Sequence, residues 1–130
     1  MEDMQAFNAR DAFARELGIE LVSASPGAAK VRLALGPRHL NGVGVAHGGV
    51  IFTLADVAFS VASNSRGGIA VAIDAHINYF KGASGGVLYA EAREEFLHHK
   101  LGAYAIVVTD EKGDKIAAFQ GLVYRKGEKS

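Results

Sequence analysis

The chain contains no cysteine, which excludes a disulfide scaffold, a zinc–thiolate site and a cysteine nucleophile. It has no excess of either charge, since fourteen Lys and Arg balance fourteen Asp and Glu. A nucleic-acid binder presents a basic face to phosphates, so that class of partner is disfavoured. No stretch approaches the run of about 18 apolar residues that a membrane-spanning helix needs. The opening Met1-Glu2-Asp3-Met4-Gln5 is acidic and polar, unlike the basic and apolar regions of a secretory leader. A soluble cytoplasmic protein with no membrane partner is expected. What the chain does have fits a single domain over 1–130, because 49% of its residues are apolar and only 22% charged. Its sixteen glycines exceed the ordinary share of about 7%. Most fall between periodic segments, which points to many short elements joined by tight turns.

Periodicity divides the chain. Phe7, Ala14 and Leu17, with Met4 and Phe13 nearby, predict one short amphipathic helix over 4–17, stopped by Gly18. Two strands, 19–25 and 28–35, flank Pro26-Gly27, and the second places Val31, Leu33 and Leu35 on one face. An irregular stretch from Gly36 to Gly44 leads to a long helix over 47–66, ended by Gly67-Gly68. Period two follows, with Ile69, Val71, Ile73, Ala75 and Ile77 on one face of a strand and Asp74, His76 and Asn78 on the other. Further strands are expected at 87–97, 103–110 and 115–125, antiparallel because their connections have hairpin lengths. The order α–β–β–α–β–β–β–β is an α+β domain with one dominant helix.

That helix is apolar nearly all round, the pattern of a buried helix, yet Asp56 stands in its middle. Gly49, Thr53, Asp56, Ser60 and Ser63 step by four and three residues, so they form one small and polar stripe with the charge at its centre. An Asp that caps or pairs with a neighbouring strand would be the ordinary explanation. The residues that precede the helix favour another. His47-Gly48-Gly49 opens it, where the first backbone N–H groups have no intrahelical partner. Two glycines admit a ligand close to those groups, and the helix dipole favours negative charge there. This is the make-up of an oxyanion hole for acyl transfer, although a tight loop-to-helix turn also uses glycines. Gly48 and Asp56 are separated by about 12 Å along the helix at 1.5 Å per residue. One carbonyl cannot reach both within a chain, so a shared reaction centre requires two chains and at least a dimer.

The run Asn41-Gly42-Val43-Gly44-Val45-Ala46-His47-Gly48-Gly49, followed by Leu54-Ala55-Asp56, resembles hot-dog-fold acyl-CoA thioesterases. Its continuation through Ala58-Phe59 to Asn64-Ser65-Arg66-Gly67 is similar to the phenylacetate-degradation (PaaI) subgroup. The resemblance implies a long central helix wrapped by a curved antiparallel sheet, with dimers joined edge to edge and commonly a homotetramer. It implies that a thioester carbonyl binds at the Gly48 N–H while Asp56 of the facing subunit drives hydrolysis. Asp56 would act as a general base on water or as a nucleophile through a mixed anhydride. An ionised Asp takes a proton at neutral pH without any pKa shift, which makes the general base the simpler route. Asn41 would orient the thioester or the water, and His47 would organise the loop that presents Gly48. Some relatives place a Ser or Thr on the strand after the helix to hold the water. Here Ala70, Ala72 and Asp74 occupy the alternating positions, leaving that role unfilled or to Thr53 or Ser60. Gly49 would help line the substrate site. No metal or cofactor is implied, coenzyme A being part of the substrate.

Other signals are weaker. Gly42-x-Gly44-x-x-His47 lacks the third glycine of a dinucleotide fingerprint. His98-His99 would point to opposite sides of a strand, a poor chelating arrangement, and fits a solvated turn. His99, Lys100 or Arg125-Lys126 are candidates for coenzyme A phosphates, though exposed basic residues are usually only solvated. Phe52, Phe59, Tyr79 and Phe80 fit core or interface positions better than acyl-pocket walls, with room for one or two, Phe59 among them, to do both. Thioester hydrolysis, with arylacetyl-CoA such as phenylacetyl- or hydroxyphenylacetyl-CoA favoured, therefore leads two alternatives. One is a non-catalytic acyl-CoA-binding homo-oligomer. The other is a hot-dog hydratase or dehydratase, disfavoured because such enzymes show Asp-x4-His and here Val61 stands where the His would be.

Overall fold

The computed structural model describes residues 3–128. Helices α1 (Met4–Ala9) and α2 (Ala12–Leu17) precede strands β1 (Glu20–Ser25) and β2 (Ala28–Ala34). A single 3-10 turn, Pro37–His39, leads into the long helix α3 (Gly48–Ser63). Strands β3 (Gly68–Tyr79), β4 (Val87–Leu97), β5 (Leu101–Thr109) and β6 (Lys115–Glu128) complete the chain. The strands form one six-stranded sheet in the order β1-β2-β4-β5-β6-β3, every neighbour antiparallel. A long helix laid against an antiparallel sheet is the architecture that the resemblance implied.

Three expectations are corrected in detail. The helix predicted over 4–17 is two helices. Asp11 is extended (φ −78°, ψ 94°) and its carboxylate accepts the Ala14 N–H at 3.0 Å, so it starts a second helix rather than continuing the first. The long helix ends at Ser63 rather than 66, because Asn64 caps it, its amide donating to the Ser60 carbonyl at 2.9 Å. The inferred face of β3 does not exist as one face. A bulge between Ala72 and Asp74 resets the alternation. Ala70 and Ile77, which unbroken period two would put on opposite sides, both pack toward the core, while Ile69, Val71 and Ile73 are exposed.

The core lies between α3 and the inner face of the sheet. Alternation delivers Val31 and Leu33 from β2, Leu88 and Ala90 from β4, and Tyr104, Ile106 and Val108 from β5, all at 1% exposure or less. Phe59 on α3 meets Tyr104 and Phe119 at ring-centroid distances of 5.8 and 5.6 Å, and its ring lies flat over the bare backbone of Gly121. A Cβ at position 121 would overlap that ring. The helix therefore sits close to the sheet at its centre, and this close approach sets the height of Asp56 one turn away. Glu94 on β4 ties the far end of α3 to the sheet, accepting from Arg66 Nη2 at 2.7 Å and from the Tyr104 hydroxyl at 2.8 Å.

Candidate active site

The loop before α3 is held by a buried histidine that the sequence did not single out. His39 Nδ1 accepts the Gly36 N–H at 2.9 Å, which leaves the proton on Nε2 to donate to the Leu17 carbonyl at 2.8 Å. The His39 carbonyl then accepts the His47 N–H at 2.8 Å, fixing the residue that opens the helix. Asn41 closes the loop from within. Its Oδ1 accepts from the Val43 and Val45 N–H groups at 3.0 and 3.2 Å, and its Nδ2 has no partner among the described residues. That amide is a free donor at the lip of the loop. A further tie, Ala46 N–H to the Ala83 carbonyl at 2.7 Å, anchors the loop to the segment after β3.

His47 is the N-cap of α3. It is extended (φ −59°, ψ 137°) and its Nδ1 accepts the Gly49 N–H at 2.9 Å. Its carbonyl accepts from both Val50 and Ile51, at 2.9 and 3.2 Å. Among the described residues nothing accepts the Gly48 N–H. The peptide that carries this free donor thus has a carbonyl pulled by two hydrogen bonds, which polarises the N–H further. It also lies at the positive end of a 16-residue helix. The His47 ring nitrogen is thus occupied by a backbone bond within the glycine loop.

Asp56 lies two turns further along, half-buried, with no hydrogen-bond or ion-pair partner among the described residues. The capping or strand-pairing role that would have explained it structurally is absent there. Burial raises its pKa above the ordinary carboxylate value, and the nearby charge of Asp11 raises it further. Asp56 is therefore a stronger base than a free aspartate. On the same stripe, the Thr53 hydroxyl donates to the Gly49 carbonyl at 2.7 Å, which commits its proton to the helix but leaves its oxygen able to accept. Ser60 is half-buried and Ser63 is buried.

Not every candidate gathers here. Phe59 is 1% exposed and belongs to the core under the sheet. Lys100 lies in the β4–β5 turn with its Nζ 5.9 Å from the centre of the Tyr124 ring. Register places it far from Gly48: Leu101 pairs with Tyr124, which pairs with Val71 near the start of β3. The Gly48 end of α3 lies instead at the other end of β3, where the Tyr79 hydroxyl donates to the Gly48 carbonyl at 2.9 Å. Tyr79 is half-exposed in the single chain, so of the core and interface positions expected for it the core is excluded. No group of side chains suited to holding a metal ion occurs among the described residues.

The geometry offers a polarised backbone donor and an unpartnered carboxylate two turns apart on one helix, the two kinds of group that attack on a carbonyl uses. Residues 43–117 match the family model described as the Thioesterase superfamily. The acyl-coenzyme A thioesterase PaaI of Escherichia coli is 35% identical over 127 residues, covering 97% of this chain and 91% of that protein. The structure of the E. coli PaaI protein superposes with a TM-score of 0.91, covering 95% of this chain and 90% of that one. A mutant of the phenylacetic acid degradation protein PaaI from Thermus thermophilus is 38% identical, with a TM-score of 0.85 over 88% of this chain and 99% of that one. A Streptococcus mutans protein, smu.793, was solved bound to acetyl CoA; it is 28% identical, with a TM-score of 0.83 over 87% of this chain and 92% of that one. With the helix-opening glycines and the mid-helix aspartate in place on a matching fold, the chain belongs to the thioesterase superfamily and has its hot-dog fold.

Proposed function

We propose that this protein hydrolyses acyl-CoA thioesters to the free acid and coenzyme A, with arylacetyl-CoA esters as the favoured substrates. The observation that carries the reading is the pair formed by the free Gly48 N–H and the unpartnered Asp56 on α3. The E. coli relative's activity and the acetyl CoA bound to the S. mutans protein support the substrate class. The names of the PaaI relatives favour the arylacetyl group.

The site lies between two chains. Gly48 and Asp56 are on one continuous helix and stand about 12 Å apart along it, so the carbonyl held at one chain's Gly48 meets the Asp56 of its partner. Strand β3 is the element that joins them. It is an edge strand, paired on one side only with β6, and it exposes Ile69, Val71 and Ile73. A long apolar edge of this kind calls for a second strand. The assembly is a homodimer at minimum.

In this site the thioester oxygen accepts the Gly48 N–H, and charge developing on it is met by the helix N-terminus. Asp56 of the facing chain takes a proton from water, whose oxygen attacks the carbonyl carbon. The carbon–sulfur bond then breaks, and the thiolate leaves to be protonated as coenzyme A. Attack by the Asp56 carboxylate itself, through a mixed anhydride later opened by water, gives the same products. The raised pKa of Asp56 suits it to the first route and, since nucleophilicity rises with basicity, to the second as well. The free Asn41 amide would donate to the thioester or the water.

Thiol release from acetyl-, hexanoyl-, palmitoyl-, benzoyl-, phenylacetyl- and hydroxyphenylacetyl-CoA tests this directly. Activity should peak at the arylacetyl esters, and Asp56→Asn should keep the fold while kcat falls by roughly a hundredfold or more. A different preferred ester would overturn the specificity alone. Absence of thiol release from all six would overturn the reaction.

A further inference from the structure

Gly48 has no side chain with which to fix itself, so the direction of its N–H depends on the two peptides that flank it. The peptide before it is held within the helix, through the His47 carbonyl and the Val50 and Ile51 N–H groups. The peptide after it is held at both ends. Its N–H, that of Gly49, donates to His47 Nδ1 at 2.9 Å, and its carbonyl, that of Gly48, accepts the Tyr79 hydroxyl at 2.9 Å. Of these restraints only Tyr79 comes from another element. It stands at the last position of β3, 31 residues away in sequence. The Tyr79 ring also lies against the α-carbon of Gly48, with its hydroxyl 3.4 Å and its Cζ 3.5 Å from where a Cβ would stand.

We infer that Tyr79 is a positioning residue for the oxyanion donor: its hydroxyl clamps the first turn of α3 to the end of β3 and so sets where the Gly48 N–H points. This rests on the proposed thioesterase reaction. A half-exposed tyrosine needs no hydrogen bond for stability, since water would satisfy its hydroxyl. The bond is therefore better explained by what it holds. A donor displaced by a fraction of an ångström stabilises a developing oxyanion poorly, whereas binding of the ground-state ester, which relies on the rest of the molecule, is little changed. The clamp also couples two parts of one site, because β3 is the strand that would meet the partner chain. Seating of that strand would then set the geometry of the helix N-terminus.

The test compares wild type with Tyr79→Phe, which keeps the ring and removes only the hydroxyl, in steady-state thiol release and in amide spectra of protein labelled with 15N-glycine. Removing an oxyanion donor outright costs about 100- to 1000-fold in kcat, so loosening one should cost about tenfold. The expected result is that loss in kcat with KM unchanged within about twofold. Thermal stability and assembly should match wild type, and the Gly48 and Gly49 amide resonances should shift. Unchanged kcat overturns the inference, as does a fall that appears in KM or accompanies loss of assembly, which would make Tyr79 a substrate or packing contact. Unmoved glycine resonances overturn the clamp itself, independently of any activity. A wild-type protein that releases no thiol fails the reaction rather than the contact, which the glycine spectra still judge. Should Tyr79→Phe fold poorly, Tyr79→Leu, which removes the ring as well, must lose at least as much kcat as the smaller change predicts.

Discussion

Asp56 is set by its burial and by one neighbour, Asp11, that lies far from it in sequence. Burial against α3's surroundings raises its pKa, and Asp11 adds a second push in the same direction. Asp11 itself is occupied as the cap of α2, a role that Asn fills equally well. Asp11→Asn therefore removes a charge without removing a cap. Asp56 must be ionised to accept a proton, so activity rises as pH passes upward through its pKa. With the repelling charge gone that pKa falls, and the acid limb of kcat/KM should move to lower pH while the plateau stays level. Wild type and variant compared across pH 4 to 8 in steps of about half a unit would resolve the movement, given that one pKa unit is a tenfold change in ionisation. An unmoved limb would mean that Asp11 does not act on the ionisation that limits the rate.

At the scale of elements, what the sequence disclosed was what lies close together along the chain. His47, Gly48, Gly49 and Asp56 fall within ten consecutive residues, and a helical period is enough to place them relative to one another. The alternation of β2, β4 and β5 was equally plain. Features that depend on contact between distant segments were not. Asp11 reads as one more polar residue on a helix until its carboxylate is seen to cap the next one. The bulge in β3 leaves no local mark, because Ile73 suits either face of a strand. His39 and Tyr79 acquire meaning only from partners 22 and 31 residues away. Gly121 belongs to the same group. It looks like an interruption of β6, yet it is where the helix presses closest to the sheet, with the Phe59 ring filling the space of its missing side chain. Gly121→Ala should overpack that contact and destabilise the fold by about 1–3 kcal/mol, measured by denaturant titration. Because Phe59 precedes Ser60 and lies one turn past Asp56 on α3, the same change should also depress kcat by moving the helix outward.

For the whole molecule the decisive question is whether one site needs two chains, and the position of Gly48 allows it to be asked sharply. Gly48 is the first residue of α3, the one helical position where proline is at home, since its fixed φ suits the helix and no intrahelical bond is lost. The nearest atoms to a Cβ there belong to the Tyr79 side chain, at ordinary contact distances of 3.4 Å or more, and His47 before it is extended (ψ 137°) as a residue preceding proline must be. Gly48→Pro therefore deletes the N–H donor and little else, and alone it should lower kcat by about 100-fold or more. Asp56→Asn should be inactive for a different reason, in the other half of the site. If each site takes its donor from one chain and its carboxylate from the next, a mixed dimer of the two variants contains one site carrying both lesions and one carrying neither. Equal mixing with free exchange makes half the dimers mixed, each with one intact site of two. Activity should then recover to about a quarter of wild type, from two proteins that are each nearly dead. Sites built within single chains can never regain activity this way, so a mixture no better than its components after refolding together would refute the two-chain site. The edge strand supplies the companion measurement: Val71→Lys, placing a charge on the exposed apolar edge of β3, should abolish both assembly and the recovery in the same experiment.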